Sequence, residues 1–180
     1  MDNLLLRVFL IEIERQTGFA LIAALDLNVA LKSENVDRIW YSVQSLLIAA
    51  GNVSKLLWPS SCTVPKRGEE LRSILKVPDS SPLQPRKFRN HFEHFDERLE
   101  KWAASSHRKN FADSNVGPPG MIKGVDPGDY LRNYNTKEHC VTFRGDTYAL
   151  KPVIVALKNL NKEAVSALND FANPPEATNT

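Results

Sequence analysis

Hydrophobic residues recur along this chain with helical period in four long stretches, set apart by short polar or proline-rich breaks. The first stretch, from about Asn3 to Leu31, is apolar on most sides, which predicts a buried helix with Gly18 as a point where it can bend or break. Lys32 to Asn35 is a short polar connection, and Ser33 or Asn35 can cap the next helix. The second stretch has the cleanest pattern: Val36, Trp40, Val43, Leu47, Ala50, Ser54 and Leu57 recur at alternating spacings of four and three. That seam wants an antiparallel neighbour, and so short a connection makes the first helix its partner.

Pro59 to Pro65 interrupts the period, a short helix from about Gly68 to Leu75 comes next, and Val77 to Ser81 is a turn. The third stretch, Pro82 to Ser105, reads as one long amphipathic helix capped by Ser81, with Pro82 in its first position or Pro85 as the alternative start. At 100° per residue, Phe88, Phe92, Phe95, Leu99 and Trp102 share an arc of about 80°, an aromatic stripe fit for a core. The opposite face is polar and holds Arg89, Asn90, Glu93, His94, Glu97, Arg98 and Lys101.

Residues 105–137 are rich in glycine and proline and predict an irregular excursion, functional or mobile at that length. A hairpin is expected at His139 to Phe143 and Thr147 to Leu150 around a turn at Arg144 to Asp146. Lys151 and Pro152 open a last helix, with Leu150, Val153, Leu157, Leu160, Ala164, Leu168 and Phe171 along one side. The fold expected is an all-α antiparallel helical bundle with a long irregular loop and one small hairpin before the C-terminal helix. It forms a single domain over residues 1–173, with a disordered polar tail at 174–180.

Composition changes this picture little. Hydrophobic residues at 42%, charged residues at 24% and a net charge of +2 describe an ordinary globular chain, not a polycation built to coat nucleic acid. The charge is unevenly placed, however: residues 61–110 hold 11 Lys and Arg against 7 Asp and Glu, so the basic bias surrounds the third stretch. Cys62 and Cys140 lie far apart and in no Cys/His cluster, which argues against structural zinc and fits a reduced, cytoplasmic protein. The N-terminus lacks the pattern of a signal peptide and no run reaches membrane-spanning length, so a soluble chain is expected.

Arg89, Asn90, three intervening residues and His94 make the pattern Arg-Asn-x-x-x-His on the polar face. Metal-free RNA cleavage needs a base for the 2′-hydroxyl, an acid for the leaving 5′-oxygen and a cation for the crowded phosphorane. Imidazole and guanidinium suit those roles. Here the sequence resembles the HEPN family of small helical domains, whose signature is an Arg followed four to six residues later by His, often with Asn directly after the Arg. The resemblance implies that Arg89 and His94 are the catalytic pair with Asn90 in support, while Glu93, Glu97, Arg98 and Lys101 complete the polar face by their spacing. It further implies a metal-independent endoribonuclease without cofactor, working as a homodimer on RNA in a defence or toxin–antitoxin setting. Twofold pairing across the polar face would bring two histidines into one cleft, and an antitoxin-like protein would restrain the activity.

The same loose pattern occurs at Arg86 and His91 and at Arg132 and His139. His91 lies at the edge of the aromatic stripe, where packing or capping is expected. The stretch after Arg132 lacks apolar periodicity. The principal alternative is a non-catalytic interaction module with the same fold, in which Arg89 with Glu93 and His94 with Arg98 are merely i,i+4 neighbours.

Overall fold

Asp2 opens the first helix, α1 (Asn3–Lys32), by accepting the amide hydrogen of Leu5 on its carboxylate, and the helix runs unbroken through Gly18. Asn35 caps α2 (Val36–Leu57) in the same way, its Oδ1 2.9 Å from the Arg38 amide. In this computed structural model residues 1–172 are described except Cys62, Pro65 and Pro119, with Phe88 described by its backbone alone. The expected tail at 174–180, Cys62 and the Phe88 position of the stripe lie outside the described residues.

The seam on α2 is buried as its spacing predicts: Trp40, Val43, Leu47, Ala50, Ser54 and Leu57 all face the core, and Val36 at the helix mouth does not. Helix α1 folds back along α2, with Asn52 Nδ2 donating to Gln16 Oε1 at 3.2 Å. On its other flank α1 carries α6 (Leu150–Ala172), where Asn161 Nδ2 donates to Thr17 Oγ1 at 2.8 Å and to the Glu14 carbonyl at 3.2 Å. Thr17 is fully buried, and its hydroxyl is satisfied further by donating within α1. Each fully buried Leu, Ile or Val of this interface contributes about 1.5–3 kcal/mol.

The remaining helices are short: α3 (Arg67–Ile74), α4 (Lys87–Glu93) and α5 (Phe95–Ser105). Two expectations need correction here. The stretch Pro82 to Ser105 is not one helix. Ser81 Oγ accepts from the Leu83 amide in a turn, the helix begins only at Lys87, after Pro85, and it breaks at His94, whose φ of −111° and ψ of 42° leave the helical range. The break lets neighbouring aromatics serve two surfaces. Phe92 on α4 meets Trp40 of α2 at 6.3 Å between ring centroids, and Phe95 on α5 meets Phe143 of the sheet, also at 6.3 Å and edge-on. Phe92, Phe95, Leu99 and Trp102 do pack on the core, as half-buried residues.

The second correction concerns residues 105–137 and the lone hairpin. Four strands form one mixed sheet in the order β1 (Asn115–Val116), β2 (Arg132–Asn135), β3 (Cys140–Phe143) and β4 (Asp146–Ala149), with β1 parallel to β2 and the other pairs antiparallel. A 3₁₀ turn, Pro127–Asp129, lies between β1 and β2. The expected hairpin is β3 and β4, turning through Arg144 and Gly145 at φ of 47° and 91°, the left-handed pair that a two-residue hairpin demands. Strand β2 was hidden because its residues are polar yet buried: Asn133, Tyr134 and Asn135 are at most 3% exposed, and Asn135 Oδ1 is satisfied by the amides of Lys137 and Glu138. The molecule is thus predominantly helical with a small mixed sheet. Among the described residues no helix is long and apolar enough to cross a membrane.

Candidate functional site

The polar face of the third stretch does not simply meet solvent. Arg89 leaves α4 towards α2 and is 8% exposed, its stem lying across the backbone of Gly51, where a Cβ would stand 2.1 Å from Arg89 Cδ. Only glycine at position 51 leaves room for it. The guanidinium end is held on one side: Nη2 donates to Asn90 Oδ1 at 3.0 Å and pairs with Glu93 Oε2 at 3.0 Å. Nε and Nη1 are closed off from solvent and have no acceptor. A buried donor without an acceptor costs about 1–3 kcal/mol, so the arrangement is a cation with open hydrogen-bonding capacity.

His94 sits at the break between α4 and α5, with its side chain 53% exposed. Its amide donates to the Asn90 carbonyl at 3.1 Å, and its Nδ1 lies 3.4 Å from Glu97 Oε1. Asn90 therefore touches both members of the motif, Arg89 through its side chain and His94 through its backbone. No hydrogen bond or ion pair joins Arg89 to His94 directly among the described residues. Glu97 is also 3.9 Å from Arg98 Nη1, and Lys101 is exposed. The i,i+4 neighbour pairing holds for Arg89 with Glu93, whereas His94 and Arg98 turn to other partners, Glu97 and His91.

His91 packs as its position suggested. It is 8% exposed and stacks on Phe143 at 4.5 Å with the planes 12° apart. Arg98 Nε donates to His91 Nδ1 at 3.2 Å, which places the proton of the neutral ring on Nε2, facing Asp146 Oδ2 at 3.5 Å. Burial, and then the nearby Arg98 charge, pull the His91 pKa below its usual 6.5. Lys87, 2.7 Å from Asp146, holds that carboxyl below the ordinary 3.8.

No family model, curated protein or solved structure matches this chain. The geometry of the site alone therefore bears on its role. The helical period predicts Arg89, Asn90 and His94 on the polar face of one helix; the structure buries Arg89 and puts His94 on a corner. Gly51 was missed, although a glycine inside a strongly periodic helix signals close backbone approach. Phe143 and Asp146 were missed as well, because strand residues reach His91 only through tertiary packing.

The third Arg-x-His pattern is dispersed. His139 Nδ1 lies 3.1 Å from the Tyr134 hydroxyl, whereas Arg132 points the other way, its Nε 2.9 Å from Asp113 Oδ1 and its guanidinium 4.1 Å above the Phe95 ring. Arg132 Nη2 bonds the second Asp113 oxygen as well. Burial would raise the Asp113 pKa, but the Arg132 hydrogen bonds and charge outweigh it and hold the carboxyl below 3.8.

Proposed function

We propose that this chain is a metal-independent endoribonuclease of the HEPN type, with Arg89 and His94 as its catalytic residues and Asn90 as the residue that positions both. One observation carries the reading: a buried arginine with two unpaired nitrogens, Nε and Nη1, stands five residues before a half-exposed histidine. In the proposed reaction a base takes the 2′-hydroxyl proton, the 2′-oxygen attacks phosphorus, and the 5′-oxygen leaves with a proton from an acid. The products are a 2′,3′-cyclic phosphate and a 5′-hydroxyl. Arg89 meets the phosphorane charge once the Glu93 carboxylate, itself partly exposed, gives way to phosphate.

His94 exchanges the protons. Its counterpart is either the His94 of a second copy, as a homodimeric HEPN-like site implies, or Glu97 at 3.4 Å in the same chain. Mixing the original protein with an excess of His94→Ala protein separates these arrangements: mixed dimers suppress the activity where two His94 share a cleft, and leave it unchanged where His94 works with Glu97 of its own chain. The polar corner of α4 and α5, with Glu93, Glu97, Arg98 and Lys101, is also the surface that a restraining partner protein would cover.

The test is single-stranded RNA incubated with the protein in EDTA, with the product ends read chemically. Cleavage to 2′,3′-cyclic phosphate, lost by about 10²–10⁴-fold in His94→Ala and absent on DNA, supports the reading. Inertness of the folded protein towards a broad RNA panel removes it. A specific observation favours the second reading, a non-catalytic interaction module: Nε and Nη1 of Arg89 are out of solvent contact while Glu93 and Asn90 hold Nη2. Under that reading Arg89→Ala changes partner binding and RNA stays intact.

A further inference from the structure

Helix α6 and the segment that follows α3 leave a groove between them with a volume of about 670 Å³, within the range of a small-molecule site. Its α6 wall is a single stripe, Pro152, Val155, Ala156, Asn159, Leu160 and Glu163, with one or two residues from each turn. Opposite stand Leu75, Val77, Pro78, Pro82 and Leu83. Leu75, Leu83 and Leu160 are buried and form the floor. The short side chain of Ala156 leaves the middle unfilled, and the two prolines stiffen the far wall.

This groove offers contact to hydrocarbon and little to a polar chain. On the far wall the amides of Leu75, Lys76, Val77, Ser81 and Leu83 all donate within their own turns, and Pro78 and Pro82 have no N–H. Across from them the α6 amides beyond the first turn are used within the helix. A peptide lying here would leave its own carbonyls short of donors, whereas an alkyl chain makes no such demand. The two ends of the groove differ in charge. At one, Lys76 Nζ lies 2.8 Å from Glu163 Oε2, so the pair spans the groove and is neutral. Lys151 lines the other end, about 18 Å back along the α6 axis at 1.5 Å rise per residue. Its ammonium has no hydrogen bond or ion pair among the described residues.

We propose that this groove binds a single-chain amphiphile with an anionic head, its hydrocarbon laid over Ala156 and the buried leucines and its head on the Lys151 ammonium. The charge pattern selects the orientation: the neutral Lys76–Glu163 end takes the tail, and the unpaired cation takes the head. The groove shares no lining residue with the Arg89 corner, so its occupancy and RNA cleavage are tested separately.

Isothermal titration calorimetry of the full chain with dodecanoate, kept below its micelle-forming concentration, is the test, with far-ultraviolet dichroism as the control for folding. A single dodecanoate per chain should bind with a Kd on the order of 10 micromolar. Dodecyltrimethylammonium, with the same tail and the opposite charge, should bind at least about tenfold more weakly. Lys151→Gln should weaken dodecanoate by about fivefold. Ala156→Phe puts a ring into the groove and should weaken it by more than about tenfold. Val155→Glu sets a repelling carboxylate on the exposed lip without opening the core, and should weaken it by about fivefold; it tests the site even where Ala156→Phe fails to fold. Absence of dodecanoate binding overturns the proposal, as do equal affinities for the two heads or a Lys151→Gln chain that binds like the original. So does binding that survives the folded groove variants, which would belong to another apolar surface.

Discussion

The dipeptide Arg-Asn occurs twice among the described residues, and the two arginines are treated in opposite ways. Arg132 on β2 is engaged along one edge and one face: Nε and Nη2 grip both oxygens of Asp113, and the guanidinium plane rests on Phe95. It ties the segment before β1 to the sheet and to α5. Arg89 is at least as deeply placed, yet it is secured through Nη2 alone, by Asn90 and a half-open Glu93, while Nε and Nη1 meet nothing. The first is a joint. The second leaves two guanidinium nitrogens without an acceptor, so the neighbours of a guanidinium, more than its burial or its motif, set whether it serves as a joint.

The comparison breaks most visibly on removal of charge at constant volume. Arg132→Met leaves Asp113, whose side chain is 9% exposed, as an uncompensated buried carboxylate. Chemical denaturation should show a loss of about 3–5 kcal/mol. Gly51→Ala comes next: its Cβ cannot coexist with Arg89 Cδ, so the arginine stem must shift, at a cost of about 1–3 kcal/mol. In an Arg89→Ala background the same change should become favourable by about 0.5–1 kcal/mol, because alanine is then only the better helix former. Additivity of the two substitutions would mean that Gly51 does not seat Arg89.

A smaller effect appears as a slope. His91 is kept neutral in the fold with its pKa below 6.5, so the unfolded chain takes up its proton first as pH falls. The His91 contribution is therefore complete above 6.5 and is lost between 6.5 and the lowered folded value, at no more than about 1.4 kcal/mol per pH unit. Asp113 adds its own loss only below 3.8, as pH falls through its depressed folded value. His91→Phe keeps the stacking on Phe143 and should flatten the first slope in denaturation curves taken between about pH 7 and about pH 5. An unchanged slope would place the titrating group elsewhere.

Much of the helical frame was legible from period alone. The spacing of Trp40, Val43, Leu47, Ala50, Ser54 and Leu57 identified α2 and its seam, and the caps at Asn35 and Lys151–Pro152 bounded two helices closely. The sheet was less legible because β2 buries Asn133 and Asn135, whose polarity reads as loop until their hydrogen bonds are seen. The break at His94 was invisible for a different reason. Phe92 and Phe95 fit one helical stripe in sequence, and only the presence of both Trp40 and Phe143 around them pulls the two turns apart. At the candidate site, spacing singles out Arg89, Asn90 and His94. The closure of Arg89 over Gly51 could not, since it depends on how α4 crosses α2.

Under the proposed function Arg89 is held for a phosphate and contributes little to the fold. Arg89→Met tests it with two readings on one protein, stability to denaturant and cleavage of single-stranded RNA. Methionine fills much of the space over Gly51 and removes the unpaired donors, while Glu93 returns to solvent. Stability should therefore stay within about 1 kcal/mol of the original chain, and cleavage should fall by about 10²–10³-fold. A variant that loses several kcal/mol of stability, or one that cuts RNA as well as the original chain, would contradict the account.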